Sequence, residues 1–131
     1  MKRDMELIRL ILLKIEDEYI SQNILGLTIE GYDMEQVAYH CKMLYEAGLV
    51  SYYEGLYTFS GLEDFQVGPI TWMGHDFLDT IRDNGIWDKT KNTIKKKGLP
   101  MLVDTIKAIA NAFINAAVEG TVTAIMKNGG V

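Results

Sequence analysis

Two histidines, one cysteine, a run of lysines and a set of tyrosines carry the chemistry this 131-residue chain can offer. His40 and Cys41 are adjacent. Helical neighbours point about 100° apart, so the pair is a poor start for a metal site, whose ligands must converge on one point. His75 and Asp76 open a second helical stretch, where an acid suits the positive end of the helix dipole. Nothing in the spacing requires His40 and His75 to meet, so packing and capping are their expected roles. No glycine-rich phosphate loop, nucleophile elbow or paired zinc-ligand motif occurs. The expectation is a chain that is not an enzyme and takes no cofactor or metal. Cys41 falls on the inward stripe of its helix and is expected to be an inert core thiol. A single cysteine excludes an internal disulfide and fits a reducing cytoplasm.

Periodicity places the elements around these residues. Residues 4–19 read as a first helix, capped by Asp4, with Ile8, Ile11, Leu12, Ile15 and Tyr19 at helical spacing. Leu10 and Leu13 point the other way, which asks for cover on a second side. Residues 27–30 read as a short strand. Asp33 and Gln36 have capping-box spacing and open the helix within "YDMEQVAYHCKMLYEAGLV". Its inward stripe is Met34, Val37, Ala38, Cys41, Leu44 and Tyr45, and Gly48 suits a left-handed C-terminus. Two strands, Leu49 to Tyr53 and Leu56 to Phe59, flank Glu54-Gly55 as a hairpin turn. "SGLEDFQ" reads as loop, and Val67 to Thr71 as an edge strand because of Pro69. Thr71 caps a helix over 72–83, with Gly74 as a close-packing point and Trp87 pinning its end.

The composition then changes. "DKTKNTIKKKG" carries Lys89, Lys91, Lys95, Lys96 and Lys97. The run is either a solvated charge run, a lipid or a nucleic-acid patch. Residues 99–127 read as a long helix broken at Gly120, with Asp104, Lys107, Asn111, Asn115 and Glu119 on one polar stripe. The remaining apolar face is too wide to leave in water. Self-association into a homo-oligomer through Leu10, Leu13, Leu102, Ile106, Ile109, Phe113 and Ile114 is expected. Folding back onto Leu10 and Leu13, or lipid binding, are the alternatives. The first twenty residues carry charges and make no signal peptide. No eighteen-residue run is both apolar and uncharged, so no ordinary membrane span is expected.

The strings "YHCKMLYEAGLV" and "ITWMGHDFLDTIRD", the tryptophan after them and the opening "MKRDMELIRLILLKIE" resemble an uncharacterised family of bacterial and prophage proteins. That family is known only as a domain of unknown function, labelled twenty-five thirteen. The likeness covers roughly residues 1–90. It implies a winged-helix-like fold and a link to mobile elements, and no catalytic residues. The space before Asp33 is too short for a full extra helix, so the helix-turn-helix unit is abbreviated. The fold class is mainly α with a small antiparallel β-ribbon (α+β). A winged-helix-like domain (1–88), a lysine-rich linker (89–98) and a C-terminal amphipathic helix (99–127) follow in order.

A winged helix that reads DNA needs cations to neutralise phosphate. Residues 31–83 hold two basic residues, Lys42 and Arg82, against nine acids, and residues 50–70 hold no basic residue. Nucleic acid is therefore disfavoured on this face. Its outward residues Gln36, Tyr39 and Met43, with Tyr52, Tyr53 and Tyr57 of the ribbon, suit a protein partner. Scattered exposure, or packing under the C-terminal segment, is the plainer reading of Tyr39 and Met43. The expected function is a non-enzymatic regulatory module of bacterial or phage origin that binds an unidentified protein and self-associates. It would sit in the cytoplasm or at a membrane surface. The alternatives are a winged-helix DNA regulator and a membrane-acting effector using the C-terminal helix.

Overall fold

In a computed structural model describing residues 1–128, the chain forms two compact units, Met1–Leu78 and Asp79–Val131. Five helices and three strands follow in the order α1 (Met5–Glu18), β1 (Ile24–Leu25), α2 (Met34–Glu46), β2 (Tyr53–Thr58), β3 (Gly61–Val67), α3 (Trp72–Ile81), α4 (Asn84–Lys97) and α5 (Val103–Asn128).

The Asp4 carboxylate starts α1 by accepting from the backbone N–H groups of Glu6 and Leu7, at 2.9 and 3.3 Å. Leu7, Ile8, Ile11, Leu12 and Ile15 are buried. In α2 the capping box is complete: Asp33 accepts from the Gln36 N–H at 2.8 Å, and Gln36 accepts from the Asp33 N–H at 3.1 Å. Val37, Ala38, Cys41 and Leu44 face the core, whereas Met34 and Tyr45, expected on that stripe, are exposed. They flank the buried arc at the two ends of the helix, where the apolar period outruns the surface available to cover it.

The sheet is antiparallel, in the order β1-β3-β2. It corrects four expectations. Of residues 60–66, read as loop, all but Ser60 belong to the central strand β3. Glu54-Gly55 is no turn: Gly55 pairs with Phe65 inside the ladder, and the hairpin turns at Phe59-Ser60 before Gly61, at φ 106°. Residues 27–30 form no strand. Leu27 and Ile29 are buried while Thr28 and Glu30 are exposed, so the alternation is genuine. Gly26, at φ 63°, turns the chain away once Ile24 and Leu25 have paired with β3. Beyond Val67 the expected edge strand reduces to one bridge, Val50 to Ile70.

Thr71 joins α2 to α3. Its hydroxyl donates to the Gly48 carbonyl at 2.5 Å and accepts from the Gly74 N–H at 3.1 Å. Gly74 packs so tightly that an added Cβ would run into the Leu49 carbonyl oxygen and reach 2.5 Å from Ile70 Cγ2.

In the second unit, residues 89–98 are not a linker. Asp83 caps α4 by accepting from Ile86 N–H at 2.8 Å. Gly98, at φ 65°, ends it, with Lys95, Lys96 and Lys97 in its last turn. Lysine is a good helix former and favours a helix C-terminus, so the charge run extends the helix. α4 and α5 pack together, with Trp87, Thr90, Ile94, Ile106 and Ala110 buried. α5 runs through Gly120 without the expected break. From Asn115 to Asn128 every residue is exposed.

Candidate functional site

In the Met1–Leu78 unit a groove runs between α2 and the ribbon. Tyr39 and Lys42 from α2, Tyr53 and Tyr57 from β2, Leu62 from β3 and Met1 line a cavity of about 310 Å³. The strand period puts Tyr53, Gly55 and Tyr57 on one face. An irregularity after Leu56 then sets Tyr57 opposite Leu62. Gly55 makes room for both rings: a Cβ there would lie 2.7 Å from Tyr57 Cε2 and 3.0 Å from the Tyr53 hydroxyl.

The Tyr53 ring stacks on buried Phe65, centroids 6.2 Å apart. Burial raises the pKa of its phenol well above the usual 10.0, and a hydrogen bond with Tyr57 adds to the shift. Tyr39 meets His40 edge-on at 5.9 Å. The walls are thus neutral aromatic rings, fixed from beneath by core residues, with the Lys42 and Glu35 charges beside them.

Of the six expected partner-binding residues, the groove gathers Tyr39, Tyr53 and Tyr57. Gln36 is engaged in the capping box, and Met43 is half-buried and does not line the cavity. Tyr52 donates to the Glu54 carboxylate, which, ahead of other causes, raises its own phenol. Met1 and Leu62 were missed, Leu62 because its strand was read as loop. Leu56 and Phe59 on the ribbon are exposed as well.

The histidines separate. His40 is buried, with Nε2 accepting from the Asp4 N–H at 2.9 Å and Nδ1 donating to the Gln36 carbonyl at 2.7 Å. It ties α2 to the cap of α1 and uses both ring nitrogens. His75 is half-exposed, its Nδ1 4.0 Å from Glu16. Burial pushes the Cys41 thiol up to about 12, so at neutral pH it carries no thiolate and is a poor nucleophile.

The lysines lie along α4. Lys89 stands 6.0 Å from the Phe113 ring centroid, and Lys91 is 5.3 Å from that of Trp87 and 3.5 Å from Asp88. Lys95, Lys96 and Lys97 are exposed. Among the residues expected to self-associate, Ile106 is fully covered, Ile109, Phe113 and Ile114 are half-buried, and Leu102 is exposed. Leu10 and Leu13 are half-buried along an open groove of about 770 Å³ that also holds Ile29, Glu16, Asp17 and Glu30. By length and composition α5 is long and apolar enough to cross a membrane, and almost none of its most apolar stretch is buried. The expectation of no span counted only uncharged runs, whereas α5 is apolar on average despite its isolated charges.

A family model described as "Hypothetical protein (DUF2513)" matches residues 2–100. An uncharacterised protein of Haemophilus influenzae is 39% identical over 120 residues, which is 88% of this chain and 97% of that protein. A match of that extent reaches into α5 even if it begins at Met1. No solved structure matches.

Proposed function

The chain belongs to this family of hypothetical proteins (DUF2513), and from that premise we propose that its Met1–Leu78 unit is a non-enzymatic docking module that binds a protein partner through the tyrosine groove. One observation carries the reading: Tyr39, Tyr53 and Tyr57, separated in sequence, line one cavity between α2 and a ribbon that itself carries no basic residue. Tyrosine gives a binding surface large, stiff contact area and a hydroxyl for hydrogen bonding, at small entropic cost. A polyanion would meet carboxylates instead, since residues 31–83 hold nine acids against two bases, and like charges across an interface are costly. The order helix, strand, helix, ribbon, helix supports a winged-helix-like reading. Gly26 to Asp33 is an irregular loop with a turn at Glu30-Gly31, so a second helix is missing from the usual DNA-reading unit. His40 has both nitrogens engaged and Cys41 is protonated, which supports a role without catalysis.

Site-specific photo-cross-linking in the native cell tests this. A benzophenone side chain in place of Tyr39 or Tyr57 should give a discrete protein adduct, while one in place of exposed Glu30 gives none. Tyr39→Ala with Tyr57→Ala should remove the interaction without lowering the melting temperature. Identical adducts from all three positions would refute the groove. Retardation of duplex DNA at low salt, lost when Lys95, Lys96 and Lys97 become Gln, would select the DNA-binding alternative.

A further inference from the structure

The charge of the chain is segregated. Residues 84–131 carry seven lysines against three carboxylates, while residues 1–83 carry six basic residues against fifteen acids. The positive excess falls on the stretch that forms α4 and α5. Lys95, Lys96 and Lys97 end α4, and the corner after them exposes Leu99 and Leu102. A cavity of about 420 Å³ at this corner is walled by Ile94, Leu99 and Met101 together with Lys91 and Lys95. Apolar walls beside ammonium groups match an anionic amphiphile.

α5 changes its apolar face along its length. At about 100° per residue, the side bearing buried Ile106 and Ala110 continues distally as Ala117, Thr121 and Ala124, all small. The bulky distal residues Val118, Val122, Ile125 and Met126 are 48–71% exposed. They occupy a different arc, roughly 100° wide. Glu119, Thr123 and Lys127 fall on the neighbouring arc. Lying flat on an interface would bury the first set and leave the second in water. Crossing a bilayer would instead carry Glu119 into its core, a costly position.

We propose that residues 115–128 of α5 lie in the headgroup region of an anionic lipid bilayer, with Lys95, Lys96, Lys97 and Lys127 over its phosphates. A short amphipathic stretch binds lipid weakly by itself, and firm attachment needs a second, electrostatic contribution. Here both are supplied within one unit.

Flotation of the full chain with vesicles tests the proposal. Binding is expected to phosphatidylglycerol mixed with phosphatidylcholine and not to phosphatidylcholine alone, and should weaken with salt. Lys95→Gln, Lys96→Gln and Lys97→Gln together should reduce partitioning on the order of a hundredfold; these side chains are exposed and leave the fold alone. An environment-sensitive dye on Val122→Cys or Ile125→Cys should shift to the blue when anionic vesicles are added, and the same dye on Thr123→Cys should not. Buried Cys41 stays unlabelled. Failure to float with either vesicle overturns the proposal, as does an equal shift at all three positions. A blue shift that needs no vesicles and grows with protein concentration assigns the stripe to a second copy and overturns it too. None of these results bears on the tyrosine groove.

Discussion

The core of Met1–Leu78 and the distal half of α5 treat apolar side chains in opposite ways. In the first, Leu7, Ile11, Leu12, Phe65 and Val67 are at most 1% exposed, whereas Val118, Val122, Ile125 and Met126 are 48–71% exposed. Hydrophobicity does not separate the two regions; the supply of partners does. The stripe of α1 packs against α2. α5 packs on α4, but at 1.5 Å per residue the 26 residues of α5 span about 39 Å and the 14 of α4 about 21 Å. The excess length has no helix of this unit to cover it. A core residue is therefore held by many contacts, and a distal α5 residue by few, so substitutions should sort accordingly.

The largest effect belongs to Gly74. Any side chain there meets the Leu49 carbonyl, a backbone atom that cannot swing aside. Gly74→Val should cost several kcal/mol, roughly 3 or more by the usual scale of overpacking, and prevent cooperative melting. Retention of the wild-type melting temperature would show that α3 does not seat against Leu49. Next comes a paired truncation. Leu12→Ala removes a fully buried side chain and should cost about 2–5 kcal/mol. Ile125→Ala, 62% exposed before truncation, should stay within about 0.5 kcal/mol. Equal losses in urea titrations would erase the contrast between the two regions.

The same contrast explains what could be read in advance. Helices were legible where caps and period agreed: Asp4, Asp33 with Gln36, and Thr71 all start helices where expected. The ribbon was misread because Glu54-Gly55 mimics a hairpin turn, while Gly55 serves instead to admit the Tyr53 and Tyr57 rings. What decides it is the pairing of Gly55 with Phe65 on β3, which keeps the strand going and lies outside a turn-sized window. Half of the groove was legible for a related reason. Tyr39, Tyr53 and Tyr57 announce themselves by type, but Leu62 needed the correct strand. His40 was seen as packing, yet its link to the Asp4 N–H spans 36 residues and no spacing rule finds it. In α5 the period was visible, and the length of its partner was not.

Alkaline pH probes the packed region alone. Cys41 rises from 9.0 to about 12 through burial, so the folded state keeps a proton that the unfolded state releases. That contribution is complete below pH 9 and lost as pH approaches 12, with a limiting slope of about 1.4 kcal/mol per unit. Tyr53, also raised, steepens the decline above its ordinary 10.0. Cys41→Ala should flatten the stability profile between pH 9 and 10, as read by denaturant midpoints. An unchanged slope would mean that the thiol is solvated.

The smallest effect on the main melting transition is expected at Gly120. It sits in the exposed half of α5, and a Cβ there would meet nothing within 4 Å. With no contact to lose, only helix propensity is left to act, and alanine exceeds glycine by roughly 0.8–1 kcal/mol. Gly120→Ala should therefore raise helical circular dichroism while leaving the main melting transition in place. The same change in the packed region would alter the global midpoint, as a fully coupled helix must. A shift of the global transition would show that the distal half of α5 is covered in solution. A gain confined to local helicity would show that it stands free in water, ready for whatever surface takes up its exposed valines and isoleucine.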